Sequence, residues 1–431
     1  MSDQSTRPSI VAVILLAACM IADAQELELS FPPPSDNGAL HYNRAILSLS
    51  VVPIEERKTL GEPIWEAFGE SSKEELSQAI SQLTLHARHA LRAAQRGSDQ
   101  TEASFGIDYA DLDSNGLPHA QPMLQLGRLL TLAGIGKQIE GDWAGAADLF
   151  FSSMKLGAHM TQQPTLIESL VGVEVLENNY YALALWAARC PDVELAKKAY
   201  AQLRDDSKFS VMPAKTLAYE ASIVEQQIER LKGEYPDGDW SEMLLESLGE
   251  YAAVEASLSQ HQTKAKEMCI KCGMPASAFE SKATFYAYLD SIRDVRKVYL
   301  SKVAKCMSVP SASERLQLAA RLTNEYAPQF KQLGDNHILD APRIAGFYLT
   351  HSAQKQMARV ALASAASRTA SGLPSSLQEI NLLDETSTMS AYDGSKIEYK
   401  ALNNGKDIAI KIRAAEVAGT PLPVIEFTSV R

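Results

Sequence analysis

The fold is decided by residues 123–154, which read MLQLGRLLTLAGIGKQIEGDWAGAADLFFSSM. Apolar side chains recur every three or four residues on both sides of a central Gly-Asp pair, which is the spacing of one helix face. A short turn between two such helices gives an antiparallel hairpin. Gly134, Ala146 and Phe150 have the spacing of a tetratricopeptide repeat, in which small residues let two helices approach closely. We therefore expect a mainly α fold of antiparallel, tetratricopeptide-like helix hairpins, an α-α bundle.

Helical periodicity continues on both sides of this hairpin. It covers about 39–95, a helix that begins at Pro164, a heptad seam over 217–231, the stretch 278–330 and a long helix over 344–369. The period then changes to alternation, which predicts short strands at 396–401, 406–412 and 424–430. We expect a helical domain over 38–340, followed over 341–431 by a long helix and a small antiparallel sheet, a C-terminal α+β segment.

The N-terminus has the features of an export signal. Residues 10–21, IVAVILLAACMI, form an apolar run of twelve. That run is shorter than the roughly 20 residues that span a bilayer, and within the roughly 7–15 of a signal-peptide core. Ala22-Asp23-Ala24 then fits a cleavage site. These features predict a signal peptide over 1–24 and an exported protein in the periplasm.

A second interpretation of the same segment stays open. Leu16-Ala17-Ala18-Cys19 is similar to a lipobox, the motif at which bacteria acylate the cysteine. Two acyl chains on Cys19 would hold the protein on a membrane as a lipoprotein that faces the periplasm. Residues 25–37 are polar and contain three consecutive prolines, which predicts a stiff linker. In both interpretations the mature chain leaves the cytoplasm.

The composition limits the classes of partner. A formal net charge of −12 argues against nucleic acid, because phosphate backbones bind basic surfaces. A hydrophobic fraction of 46% excludes a generally disordered chain. No stretch after residue 24 approaches the length of a bilayer-spanning helix, so we expect membrane contact only through a lipid anchor.

One loop has part of a calcium-binding pattern. Asp111, Asp113 and Asn115 alternate before a glycine, as the oxygen ligands do in the first half of a calcium loop. The twelfth position, where a bidentate Glu is expected, is Pro122. The alternative is an Asx-rich turn before a helix. Calcium is therefore a weak candidate, and we expect no other cofactor.

Four cysteines remain after the signal peptide, and their spacing leaves alternatives open. Cys269 and Cys272 form a C-x-x-C pair, with Cys190 and Cys306 elsewhere. Zinc could use all four thiolates if they stayed reduced. An oxidising compartment favours structural disulfides instead, within the pair or to Cys306. Three connectivities exist for four cysteines, and the sequence does not choose among them.

The remaining candidates for catalysis are weak. His86 and His89 lie three residues apart on one predicted helix, without the H-E-x-x-H pattern of a zinc site. Glu168, Glu174 and Glu177 have no partnering histidine at di-iron spacing, so they are interpreted as a solvated edge. G-x-S-x-G, Walker A and G-x-G-x-x-G motifs are absent from the sequence. No activity follows from these residues.

Several short stretches carry a family resemblance: NRAIL at 43–47, GIDY at 106–109, LPH at 117–119, GDW at 141–143, PTLI at 164–167 and LVG at 170–172. Together they resemble a family of uncharacterised exported bacterial proteins. The tail, with SGLPSSL at 371–377 and YDGSKIEY at 392–399, looks like the C-terminal part of type II secretion pseudopilins. A prepilin-type N-terminal helix is missing, so the resemblance implies fold and export but neither pilus assembly nor an activity.

Three functional hypotheses follow. The first is a non-enzymatic interaction or scaffold protein of the cell envelope, because stacked helix pairs present extended surfaces to protein or peptide partners. The second is an envelope enzyme, of a hydrolase-like kind, whose site residues come together only in the fold. The third is an accessory of a secretion or envelope assembly system, suggested by the pseudopilin-like tail.

Overall fold

The computed structural model describes residues 36–61, 73–107, 109, 117–205, 208–234, 267, 270, 275–333, 339–384, 386–413, 416–417 and 420–429. Within these ranges the chain is mainly helical and ends in a small three-stranded antiparallel sheet, which confirms the predicted fold class. The predicted signal peptide, Cys19 and the predicted linker as far as residue 35 lie outside the described residues. None of the described helices is long and apolar enough to cross a membrane.

The described part contains twelve α-helices. They are α1 (Gly38–Ser50), α2 (Ile54–Lys58), α3 (Lys73–His86), α4 (Arg88–Ser98), α5 (Ala120–Glu140), α6 (Trp143–Thr161), α7 (Leu166–Arg189), α8 (Val193–Arg204), α9 (Pro213–Glu234), α10 (Lys282–Met307), α11 (Ala312–Gln332) and α12 (Ala341–Ala366). The strands are β1 (Glu398–Leu402), β2 (Asp407–Ile412), β3 (Glu416–Val417), β4 (Thr420–Pro421) and β5 (Ile425–Thr428). The predicted strands and the helix predicted over 344–369 fall within three residues of the observed bounds, whereas the helical stretches predicted over 39–95 and 278–330 are each divided into several helices.

The central hairpin is α5 packed against α6. Gly141 ends α5 in the left-handed region at φ 83°, a conformation that glycine adopts without strain. The Asp142 carboxylate caps α6 by accepting a hydrogen bond from the Gly145 amide at 2.9 Å. A Cβ atom added to Gly134 would lie 2.5 Å from the Phe150 ring, so these two helices touch where the sequence predicts a close approach.

Helix α7 packs against both α5 and α6. A Cβ atom on Gly172 would lie 2.5 Å from the Gly157 carbonyl oxygen, so α6 and α7 approach backbone to backbone. Trp186 of α7 is fully buried and donates its indole N–H to the Trp143 carbonyl at 3.0 Å. These contacts make α5, α6 and α7 the core of the molecule.

The predicted heptad seam over 217–231 lies on α9, and the described helix that packs against α9 is α10. Three ion pairs run along the two helices in antiparallel order: Glu225 with Lys297 at 2.6 Å, Glu229 with Arg293, and Lys232 with Asp290. Residues 235–266, which follow α9, lie outside the described residues. Ion pairs between exposed side chains therefore link α9 and α10 along one side of this helix pair.

The last helix connects the helical body to the tail. α12 packs on α7, α8 and α11, and it also contacts β2 and β5 of the sheet. The sheet order is β1-β2-β5, all antiparallel, and its inner face is apolar, with Ile408, Ile410 and Phe427 fully buried. The Tyr399 hydroxyl reaches the Ser364 hydroxyl at 2.5 Å, tying β1 to α12. One hydrophobic core thus continues from the body into the tail.

Candidate functional site

An open cleft of about 500 Å³ lies beside α12. Its walls are the connection before α9, the end of α10, the first turn of α11 and the tail around residues 387–391. Sites that bind small molecules or side chains are typically about 300–1,000 Å³ in volume. The cleft is therefore large enough for a small ligand or for a few residues of a partner.

The charge of the cleft is opposite to that of the whole chain. Arg315, Lys355 and Arg359 line it, whereas no Asp or Glu is found among its described lining residues. The chain as a whole has a formal net charge of −12. Arg359 and Asp384 both lie close enough to Tyr200 to affect the pKa of its hydroxyl, but Asp384 is not among the described lining residues of the cleft. The lining is thus a local cationic surface on an acidic protein.

Helical spacing places three of the ionisable groups in one row. His351, Lys355 and Arg359 are four residues apart on α12, so they follow one another on a single helix face. Arg359 donates through Nη2 to the Leu203 and Arg204 carbonyls at 3.3 Å, which holds its side chain against α8. The row is therefore positioned by the helix and anchored at its far end.

Arg315 enters the cleft from a different helix. It lies in the first turn of α11, and its Nε and Nη2 atoms donate to the Val309 carbonyl at 3.1 and 2.8 Å. Burial lowers the pKa of Arg315, so the guanidinium is partly withdrawn from water. A charge in such surroundings is screened less by solvent and attracts an anion more strongly than a fully exposed one.

His351 forms the buried end of the row. Burial, and then the charge of Lys355, lowers its pKa to about 3, so the ring is neutral at pH 7. Its Nδ1 atom is buried and has no hydrogen-bond partner among the described residues. The ring packs against Tyr180 with the centroids 5.3 Å apart. His351 therefore adds a polar group without a charge.

The fourth wall of the cleft is the tail, and Gln356 of α12 holds it there. The side-chain amide donates to the Ser387 carbonyl at 3.4 Å and to the Met389 carbonyl, and it accepts from the Ala391 amide at 3.0 Å. Apolar side chains of Phe209, Val211 and Met307 also line the cleft. The site combines cations, hydroxyls and apolar surface, which suits binding; its described lining offers no carboxylate as a general base.

A second polar cluster surrounds Glu168, which is completely buried. Its carboxylate accepts from His119 Nε2 at 2.7 Å, from the Tyr109 hydroxyl at 2.9 Å and from the Thr165 hydroxyl at 2.8 Å. Burial and the neighbouring Glu168 raise the pKa of Tyr109 well above its ordinary value. With no solvent exposure and these hydrogen bonds made, Glu168 fixes structure rather than meeting a substrate.

The predicted solvated edge of glutamates is wrong for two of its three members. Glu168 is buried, and burial, followed by the charge of Glu174, raises the pKa of Glu177 to about 8. Only Glu174 is substantially exposed, and it pairs with Arg128 at 2.6 Å. Thr165 and Glu168 form a capping box at the start of α7. That pattern is readable in sequence and would have placed Glu168 at a helix start.

The predicted metal sites lie only partly within the described residues. Asp111, Asp113 and Asn115 lie outside the described residues. His86 pairs with Glu56 at 2.8 Å, while His89 is exposed. Within the ranges given above, no three His, Cys, Asp or Glu side chains are placed to hold a metal ion.

The cysteine predictions are partly covered by the structure. Cys190 and Cys306 are free, buried thiols, and each contacts a carbonyl oxygen, Cys190 that of Asp192 and Cys306 that of Arg315. Cys269 and Cys272 lie outside the described residues, so the alternatives given for these two cysteines stay predictions.

The stretches that carry the family resemblance have structural roles in the fold. Tyr109, His119 and Thr165 come from three of those stretches and meet at Glu168. The GDW turn caps α6, and Gly172 allows the close approach to α6. The cleft residues belong to none of them, so no motif pointed to the cleft. Comparison with protein-family models, with curated proteins and with solved structures finds no match to this chain.

Proposed function

We propose that the protein is a non-enzymatic binding protein of the bacterial cell envelope, and that the cleft beside α12 takes an anionic group of its partner. The observation that carries this proposal is the lining of the cleft: three cationic side chains and no carboxylate among its described residues. The envelope location rests on the predicted signal peptide. The anionic group is a carboxylate or a phosphate, the two anions that guanidinium and ammonium groups bind most readily.

The surroundings of the cleft favour a partner that is anchored at this one point. A chain with a net charge of −12 repels an acidic partner over most of its surface, whereas the cleft attracts it. Such a contrast orients the partner during encounter and raises the association rate. The apolar wall formed by Phe209, Val211 and Met307 can pack against the carbon atoms next to the bound anion. An acidic segment of an envelope protein or peptide meets these requirements.

The test is a titration of the chain lacking residues 1–24 with four probes at low ionic strength. Hexaglutamate, citrate and inorganic phosphate represent the anionic groups, and hexalysine is the reverse-charge control. We expect at least one anionic probe to bind with a dissociation constant below about 1 mM and hexalysine not to bind. Binding should weaken as salt is raised, because screening reduces the attraction between exposed charges.

Two pairs of variants locate the binding. Lys355→Gln and Arg315→Gln each remove a cation from the cleft, whereas Lys400→Gln and Arg321→Gln remove exposed cations from β1 and from α11. We expect about a tenfold loss of affinity for each cleft variant and none for the controls. Equal losses in both pairs would show only nonspecific charge attraction. Turnover of a substrate in a hydrolase screen, lost in the cleft variants, would favour the enzyme instead.

A further inference from the structure

Helix α1 and Val51, the residue that follows it, expose a row of apolar side chains to solvent. Leu40, Leu47 and Val51 are 50%, 70% and 82% exposed. At about 100° per residue, positions 40, 44, 47 and 51 fall within roughly 60° of one another around the helix axis. The opposite face of α1 is already used by the core, through Ala39, Tyr42, Ala45 and Leu49.

This row stands out among the exposed apolar residues. Leu47, Val51, Ile54 and Leu85 are the four most exposed large hydrophobic side chains among the described residues, and three of them follow one another along α1 and the start of α2. Single exposed apolar side chains are common on soluble proteins. A row of them at helical spacing forms a helix face that none of the described residues covers.

The charges on α1 indicate what covers this face. Arg44 lies within the row, is exposed and has no ion-pair or hydrogen-bond partner among the described residues. The helix, GALHYNRAILSLS, contains no Asp or Glu, although the chain has a net charge of −12. Apolar side chains around one long cation fit an anionic lipid surface, because the arginine stem lies along the apolar layer while its head reaches the phosphates.

The position of α1 in the chain also favours contact with a lipid surface. It begins at residue 38, directly after the predicted linker and within 20 residues of Cys19. A fully extended chain spans at most about 3.6 Å per residue, so a lipid anchor at Cys19 would keep α1 within about 70 Å of the membrane. Tethering of this kind raises the effective concentration of a weak second contact.

We infer that the row formed by Leu40, Arg44, Leu47 and Val51 docks reversibly on an anionic lipid surface, independently of the cleft. This goes beyond the predicted lipid anchor, which needs no protein surface. A second copy of the chain is a poorer occupant, because a two-fold contact centred on the row would bring the two Arg44 side chains together.

The test is vesicle sedimentation of the chain lacking residues 1–24, which has no acyl group and keeps every described residue. One set of vesicles is phosphatidylethanolamine with phosphatidylglycerol at about 3:1, and the other is phosphatidylcholine alone. We expect binding to the anionic vesicles and at least a tenfold weaker partition onto the neutral ones, since Arg44 gains from anionic headgroups.

Two sets of variants distinguish docking through this row from nonspecific hydrophobic adsorption. Leu47→Ser with Val51→Ser should lower the partition coefficient at least tenfold, and Arg44→Glu should remove the preference for anionic vesicles. Val298→Ser with Leu382→Ser, which changes two exposed apolar residues outside α1, should leave binding unchanged. An unchanged melting temperature would show that each variant is folded.

Three outcomes would overturn the inference. They are failure of the unaltered chain to bind either kind of vesicle, an equal loss in the control variant, and a dimer in analytical ultracentrifugation that disappears in the Leu47→Ser, Val51→Ser variant. The last result would assign the row to a second copy of the chain.

Discussion

The Nε2 atom of His119 lies 2.7 Å from Oε1 of Glu168, a carboxylate that has no solvent exposure. The contact joins the start of α5 to the first turn of α7, and Phe105 stacks on the same imidazole with the ring centroids 4.1 Å apart. A buried carboxylate is tolerated only when its oxygens are hydrogen-bonded. Glu168 therefore holds Tyr109 and His119 on the core.

Removal of this carboxylate should destabilise the fold strongly. We expect Glu168→Ala to lower the free energy of unfolding by about 3–5 kcal/mol, because its buried donors lose their acceptor. Tyr109→Phe removes one hydrogen bond to a charged group and should cost about 1.5–3 kcal/mol. Urea unfolding measures both. Glu194→Ala, which breaks an exposed pair with Lys197, is the control and should cost less than about 1 kcal/mol.

The close approach of α5 and α6 can be tested at one glycine. Gly134→Ala adds a Cβ atom 2.5 Å from the Phe150 ring, so we expect a loss of about 1–3 kcal/mol despite the better helix propensity of alanine. A Cβ atom added to Gly233 in α9 meets no described residue within 4 Å, so Gly233→Ala should be neutral or stabilising by up to about 1 kcal/mol. Equal thermal stability of the two variants would contradict the close approach of α5 and α6 at Gly134 and Phe150.

Residue patterns predict the elements well, because helix and strand periods are local properties. The spacing of apolar residues on both sides of Gly141 predicts both helices of the central hairpin. The alternation of apolar and polar residues predicts β2 and β5. The cleft has no such signal. Lys355 and Arg359 are two ordinary cations on a predicted helix until packing brings Arg315 of α11 and the tail residues beside them. Burial of Glu177 is likewise a tertiary effect, which its polar neighbours in sequence conceal.

Glu177 should make stability depend on pH. Burial, and then the charge of Glu174, raises its pKa to about 8 in the folded protein, from about 4.5 when unfolded. The folded state therefore binds the proton more tightly, and this contribution to stability is complete below about pH 4.5 and lost as pH rises through about 8.

The matching variant is Glu177→Gln, which stays neutral at every pH. We expect it to equal the unaltered chain near pH 4.5 and to exceed it by about 2–3 kcal/mol near pH 8.5, a figure reduced for the remaining solvent contact of the carboxyl. Glu194→Gln is the control and should follow the unaltered chain. Parallel stability curves for Glu177→Gln and the unaltered chain between pH 4.5 and 8.5 would show that Glu177 ionises normally.

The thiols of Cys190 and Cys306 should react only after unfolding. Both are buried, and burial raises the pKa of each thiol, which lowers the fraction of reactive thiolate. In the chain lacking residues 1–24, which contains four cysteines, we expect no alkylation of Cys190 or Cys306 in the native protein and complete alkylation of both in urea without reductant. If Cys269 and Cys272 form a disulfide with each other, mass spectrometry should then find two modified cysteines and one intact disulfide within the C-x-x-C stretch. Four modified cysteines would reject that pairing, and alkylation of Cys190 in the native protein would contradict its burial against Asp192.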